Sequence, residues 1–211
     1  MLDLENYKSE KSFNQNHLLC LQDYSKDEIY QILSLSLKLK DMQQMNMPHP
    51  FLKGKTLAMI FTKSSTRTRV SFEVGIHQLG GHGLFLSSDD IQLGRGETIE
   101  DTAKVLSRYV DGIMIRTYDQ QDVVDLARFG NIPIINGLTD SYHPCQILAD
   151  LLTIYEAKGR LSNLKLAYIG DGNNIANSLI IGCTKVGMDI AIGCPVGYEP
   201  DDQIIAMGAG N

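Results

Sequence analysis

The sequence predicts an α/β protein built on a parallel sheet, and three observations predict it. Short apolar runs of strand length, at residues 55–61, 83–87, 112–116 and 132–135, alternate with longer runs of helical period. The helical runs open on residues suited to helix N-caps, namely Ser25, Ser65, Thr98 and Asp119. Polar and charged groups cluster just after the strands, and open parallel sheets bind their ligands outside those carboxyl ends. The expectation is a parallel sheet with helices on both faces in an N-terminal domain, residues 1–150. An incomplete second α/β domain follows at 151–211.

Taken in order, the residues before about Asn16 are polar and read as a mobile terminus. Ser25-Lys-Asp-Glu28 is a capping box opening a long helix through Ile29, Ile32, Leu33, Leu37 and Lys40, which ends in the Met-rich stretch 41–50. The strand at 55–61 is followed by the link Thr62-Lys-Ser64. Ser65-Thr-Arg-Thr-Arg69 then opens a helix with Val70, Phe72, Val74, Ile76 and Leu79 expected on the packed face, and Gly80-Gly81 ends it. After the strand at 83–87 comes the polar loop 88–96, and then a helix capped by Thr98 running through Val105, Leu106 and Tyr109. The strand 112–116 ends on Arg116, Asp119 caps a helix through Val123, Val124 and Leu126, and 132–135 is the fourth strand. His143-Pro-Cys-Gln146 precedes an apolar run and stands at another helix start, with the helix ending near Gly159. A second pattern begins with a strand at 164–170, the turn Asp171-Gly-Asn-Asn174, a helix ended by Gly187 and a strand at 189–192. That turn lacks the full glycine fingerprint of dinucleotide-binding proteins.

Composition narrows the function classes. The 211 residues are 43% hydrophobic and 21% charged, ordinary globular values, and the net charge of −6 argues against nucleic-acid or membrane-surface binding. An anionic ligand must therefore be met by local groups. Cys20, Cys145, Cys183 and Cys194 show no CxxC spacing, and the acidic N-terminus has no apolar segment, which together suggest reduced thiols in a cytoplasmic protein without targeting or membrane-spanning segments. The five histidines show no ligand spacing, so no metal site is expected.

At Ser65 to Arg69 the free N–H groups of a first helical turn, the positive end of the helix dipole, hydroxyls and two arginines point at one region. Arginine forks match phosphate oxygens bidentately. The residues alone leave two readings open: a phosphate site, or an ordinary Ser/Thr cap with two solvated arginines. The other candidate groups, Arg116 and the segment 136–146, follow later strands and would fall on the same sheet edge.

Ser65-Thr-Arg-Thr-Arg69 and His143-Pro-Cys-Gln146, in that order and with Arg116 closing a strand between them, resemble the carbamoyltransferases, most closely the ornithine type, over roughly residues 18–200. The resemblance implies that Ser65, Thr66, Arg67 and Thr68 bind the phosphate of carbamoyl phosphate. It implies that Arg116, His143 and Gln146 reach the phosphate and carbamoyl groups, with Arg67, Arg116, His143 and Gln146 catalytic. Gln92 would be offered to the site of a neighbouring subunit, making a homotrimer with shared sites, and Asn174 would contact ornithine. The loop 88–96 has Gln92 and lacks the lysine of the aspartate type, which favours ornithine over aspartate as acceptor. No metal or cofactor is implied. The implied reaction, in arginine metabolism, gives citrulline and phosphate. The Ser-Met-Gly and His-Cys-Leu-Pro motifs of the acceptor domain are absent, so the expectation includes a second outcome, a truncated, catalytically inactive protein that binds carbamoyl phosphate or trimerises.

Overall fold

A computed structural model describes residues 4–9, 12–88, 91–93 and 96–211. The chain divides into two compact units: one comprises Asn16–Leu19 and Met45–Asp140, the other the described residues up to Gln15 with Cys20–Gln44 and Ser141–Asn211. The expected boundary at residue 150 falls inside a helix of the second unit. Its physical basis is visible there: Tyr30 donates from its hydroxyl to the Val186 carbonyl at 3.2 Å, and Ile147 packs so closely on Gly182 that a Cβ at 182 would lie 2.5 Å from it.

The first unit is a four-stranded sheet of β1 (Thr56–Phe61), β2 (His82–Ser87), β3 (Gly112–Arg116) and β4 (Ile134–Leu138), all parallel, in the order β2-β1-β3-β4. Alternation along the strands sends Ala58, Ile60, Ile113 and Ile115 to one face, against Ala103, Val123 and Leu126 of helices α3 (Ile99–Leu106) and α4 (Gln120–Phe129). Met59, Phe61 and Met114 go to the other face, where Phe72 of α2 (Thr66–Gln78) packs on them. Helices thus cover both faces, as expected for a buried parallel sheet. Because the strands are parallel and in register, Phe61 lies beside both Ser87 and Arg116. The loops that follow these strands therefore leave from one edge.

Three local expectations are corrected. The five apolar residues expected on one face of α2 divide between two: Phe72, Ile76 and Leu79 follow the i, i+4, i+7 spacing of a packed stripe, whereas Val70 and Val74 point to solvent at 54% and 46% exposure. α3 stops at Leu106, leaving Tyr109 outside it and exposed. The fourth strand starts two residues later than expected and extends through Leu138; Pro133 has no N–H to give the ladder, and Leu18 instead bridges to the strand at Ile135.

The second unit contains a 3-10 turn at Leu21–Asp23, helices α1 (Lys26–Gln44), α5 (Pro144–Lys158), α6 (Asn174–Val186) and α7 (Asp202–Ala209), and the parallel pair β5 (Lys165–Ile169) and β6 (Asp189–Gly193). Gly159 and Gly187 end α5 and α6 with φ of 67° and 78°, the left-handed conformation that favours glycine. α7 is not among the elements expected from the sequence, which end with the strand at 189–192. The structure gives Gly208 a packing reason: a Cβ there would meet Ile180 of α6 at 2.5 Å.

The capping box of α1 forms as the sequence indicates. The Ser25 Oγ accepts from the Glu28 N–H at 3.2 Å, and Glu28 accepts from the Ser25 N–H at 2.9 Å and from the Asn14 N–H at 3.0 Å. Burial alone would raise the Glu28 carboxyl, but these hydrogen bonds and that from the Ser25 hydroxyl outweigh it and hold it below its ordinary value. A carboxyl lowered by folding contributes stability above its unfolded pKa, and the contribution is lost as pH falls through the lowered folded value. Denaturant titration of Glu28→Gln at pH 7 is therefore expected to show a loss of about 1–2 kcal/mol. The difference from wild type should shrink as the pH is taken down through that folded value; a pH-independent difference would contradict the origin assigned to it.

Candidate functional site

The carboxyl edge of the first unit's sheet gathers the residues that the sequence singles out between 62 and 118. Ser65 caps α2, its Oγ accepting from the Thr68 N–H at 3.2 Å and donating to the Thr68 Oγ1 at 3.0 Å. This leaves Thr66 and Arg67, both exposed, on the first turn of the helix, where N–H groups lack intrahelical partners. Arg116 closes β3. Its backbone is held by the loop before α2, since the Arg116 carbonyl accepts from the Thr62 N–H at 3.0 Å and the Thr62 hydroxyl at 3.3 Å. A cleft of about 840 Å³ opens here, lined among others by Ser64, Ser65, Thr66, Arg69, Ser88 and Tyr118.

Among the described residues four cations stand at this edge, and their partners divide them. Lys63 pairs with Asp140 at 3.2 Å and lies 4.9 Å from the Tyr118 ring. Arg69 pairs with Glu73 at 3.3 Å and stacks 3.6 Å from the Phe85 ring. Neither Arg67 nor Arg116 has an ion pair among the described residues. The Arg116 Nε is buried without a hydrogen-bond partner among those residues. Burial first, and then the charge of nearby Arg67, hold the Arg116 guanidinium below its ordinary value. Two guanidinium groups thus repel one another beside a helix N-terminus, an arrangement that a small dianion would relieve.

Gln92 lies exposed in the loop after β2, presented outward by its neighbour Leu93, which is buried in the core. Asp90 and Arg95 of the same loop lie outside the described residues.

The remaining predicted site residues belong to the second unit. His143 is the N-cap of α5, followed by Pro144 at the first helical position, and its backbone N–H donates to Ser178 Oγ on α6 at 2.8 Å. Exposed Gln146 donates to Asp150 at 2.9 Å, one turn along the helix. Asn173 caps α6 through the N–H groups of Ile175 and Ala176, so Asn174 is the first helical residue. The turn before it requires glycine, because a Cβ at Gly172 would meet the Pro200 nitrogen at 2.2 Å. α5 and α6 therefore start side by side and bring His143 near the turn carrying Asn174. Two residues that the sequence reading missed make this junction: Ser178, and Asn177, whose Nδ2 donates to the Ser141 carbonyl at 3.2 Å. The Asn177 Oδ1 is buried without a hydrogen-bond partner among the described residues. The polar pair Asn177-Ser178 inside the otherwise apolar run 175–183 is the signal that would have found them.

Among the described residues no group of three or more His, Cys, Asp or Glu side chains could hold a metal ion, and no helix is long and apolar enough to cross a membrane.

Fold and site together define an α/β protein that presents, at the carboxyl edge of a parallel sheet, arginines without an ion pair among the described residues. Comparison with known families is specific. The carbamoyl-P binding domain of aspartate/ornithine carbamoyltransferase matches residues 16–156, and the Asp/Orn binding domain matches 162–210. The chain belongs to the aspartate/ornithine carbamoyltransferase family. It is 57% identical over 193 residues to an ornithine carbamoyltransferase of Pelobacter propionicus, covering 92% of this chain and 63% of that one. It is 62% identical over 187 residues to one from Anoxybacillus flavithermus, covering 89% of this chain and 60% of that one. The solved ornithine carbamoyltransferase of Pyrococcus furiosus superposes with a TM-score of 0.90 at 56% identity, over 92% of this chain and 62% of that one. The chain thus spans about three fifths of the length of these relatives.

If Arg67 and Arg116 lack a counter-charge, a bound anion should stabilise the fold. Inorganic phosphate at roughly ten times its dissociation constant is expected to raise Tm by about 3 °C. Arg67→Ala and Arg116→Ala should abolish the increment, and Arg69→Ala, whose charge is already paired, should keep most of it. Differential scanning fluorimetry reads all four; an increment that survives loss of Arg116 would contradict the site.

Proposed function

We propose that this chain carries the carbamoyl phosphate site and the beginning of the acceptor site of an ornithine carbamoyltransferase. The observation that carries this reading is the pair Arg67 and Arg116, neighbouring and without an ion pair among the described residues, at a helix N-terminus. In the reaction the δ-amine of ornithine attacks the carbonyl carbon of carbamoyl phosphate. The bond from that carbon to the bridging oxygen breaks, phosphate departs with the electron pair, and the amine gives up a proton as citrulline forms. Negative charge grows on the carbonyl oxygen and on the leaving phosphate, so fixed donors aimed at both lower the barrier.

The roles follow from residue chemistry. Ser65, Thr66, Arg67 and Thr68 bind the phosphate, with Arg116 opposite. Thr68, Arg116 and His143 donate to the carbonyl oxygen, and Gln146 exchanges Asp150 for the carbamoyl amide, which it meets with both donor and acceptor. Asn174, at the first turn of α6, meets the amino-acid end of ornithine. Gln92, exposed on its loop, is offered to the site of a neighbouring subunit, so the assembly is a homotrimer with shared sites.

Residues 1–150 then serve carbamoyl phosphate and 151–211 begin the ornithine-binding domain, a division that the matched family regions support. The choice of ornithine rests on Gln92 in a loop without lysine, on the turn Asp171-Gly-Asn-Asn174, and on the printed name of the relatives. One of them, from Pyrococcus furiosus and 57% identical over 194 residues, is named as anabolic, which favours arginine synthesis in the cytoplasm as the setting.

The test is citrulline formation from carbamoyl phosphate and ornithine, with aspartate as the competing acceptor. Turnover with ornithine, reduced about 10²–10³-fold by Arg67→Ala, is the expected result. Carbamoyl aspartate in place of citrulline, or unchanged turnover in the variant, would overturn it.

A further inference from the structure

We propose that Thr139 and Gln120 are positioning residues for Arg116, acting through the irregular end of β4. The inference rests on the reading of Arg116 as a phosphate-binding group and adds residues that touch no substrate.

Regular pairing between β3 and β4 fails at Arg116. Ile115 faces Asn136, but Arg116 faces Leu138, so Gly137 is an extra residue on β4. Such irregularities next to sites re-aim a side chain. Glycine is required at 137 by space: a Cβ would meet Met114 Sδ at 2.6 Å and the Ile115 carbonyl at 3.1 Å. Asn136, just before this glycine, and Thr139, two residues after it, are polar and fully buried, both at 0% exposure. Buried polar groups at a strand end add little to stability over apolar ones, and their effect is to fix geometry when each finds a partner.

Here both find the same atom. Gln120 Oε1 accepts from Thr139 Oγ1 at 2.7 Å and from Asn136 Nδ2 at 3.2 Å, while Asn136 Nδ2 also donates to the Leu19 carbonyl at 2.9 Å. One carboxamide at the start of α4 thus staples both ends of the segment 136–139. The Leu138 carbonyl, in the middle of the staple, accepts from the Thr117 N–H at 3.0 Å, and the Thr117 hydroxyl donates to Asp122 at 2.8 Å. With Thr62 on its carbonyl, the Arg116 backbone is fixed from β1, β4 and α4. This matters because Arg116 has no ion pair among the described residues to orient its guanidinium, so its aim is set from the backbone.

The experiment is calorimetric titration with inorganic phosphate well below Tm, for wild type, Arg116→Ala, Thr139→Val, Thr139→Ser and Gln120→Met, with Tm recorded for each. Thr139→Val keeps shape and removes the hydroxyl; Gln120→Met keeps length and removes the shared acceptor. Both are expected to bind phosphate about tenfold more weakly, with Thr139→Ser within about twofold of wild type. Should Thr139→Val fail to fold, Gln120→Met carries the test. Absence of phosphate binding by wild type, or wild-type binding by Arg116→Ala, would refute the phosphate site itself. Loss in Arg116→Ala with wild-type affinity in Thr139→Val and Gln120→Met would refute the positioning role alone. An equal loss in Thr139→Val and Thr139→Ser would also refute it, since packing rather than the hydroxyl would be responsible.

Discussion

Two neighbouring arginines, neither with an ion pair among the described residues, are the constraint on which the first unit's structure turns. A folded chain ordinarily pairs its cations or leaves them in solvent, and this one does so at Lys63 and Arg69. Arg67 it also leaves exposed, but Arg116, half-buried and without an ion pair among the described residues, fits neither pattern. Arg116 is partly desolvated beside the charge of Arg67, and the protein itself supplies no compensating carboxylate among the described residues. Such repulsion has to be supported by structure elsewhere, and the support is visible. The apolar layers on both faces of the sheet fix four parallel strands in register. That register puts the ends of β1 and β3 side by side, and the Thr62 hydrogen bonds lock those ends together. Charge of this kind at the carboxyl edge of a parallel sheet has a functional rationale and no evident stabilising one.

Much of this was legible in the sequence because the signals are local. The caps at Ser25, Ser65, Thr98 and Asp119 each depend on residues two or three positions away, and all form. The alternation of strand and helix depends on windows of a dozen residues, and it gave the parallel architecture. The ion pair of Arg69 with Glu73 was also readable, as an i, i+4 spacing on a helix. What distinguishes Arg67 and Arg116 from their neighbours was not, because Lys63 finds its partner 77 residues away at Asp140. Sequence alone therefore could not separate a phosphate site from solvated arginines.

The errors have equally specific causes. On α2 a period-two run of Val70, Phe72, Val74 and Ile76 was assigned to one face, although a helix places alternate residues nearly opposite each other. The end of β4 was missed because Asn136 and Gly137 look like loop residues. Asn136 is in fact buried for its hydrogen bonds, and Gly137 is there because no side chain fits beside Met114. α7, also unexpected, again holds a glycine, Gly208, that serves close packing on Ile180 rather than a turn. In β4 and α7 a residue type carrying a local meaning is overridden by a contact distant in sequence.

The central claim, that the uncompensated pair Arg67 and Arg116 is the anion site of this carbamoyltransferase family member, is most directly tested by following the guanidinium Nε–H resonances of the arginines during titration with phosphate. The account predicts that the Arg67 and Arg116 signals shift together and saturate together, while Arg69, held by Glu73 and Phe85, stays nearly still. A saturable shift at Arg69 with Arg116 unmoved would contradict it.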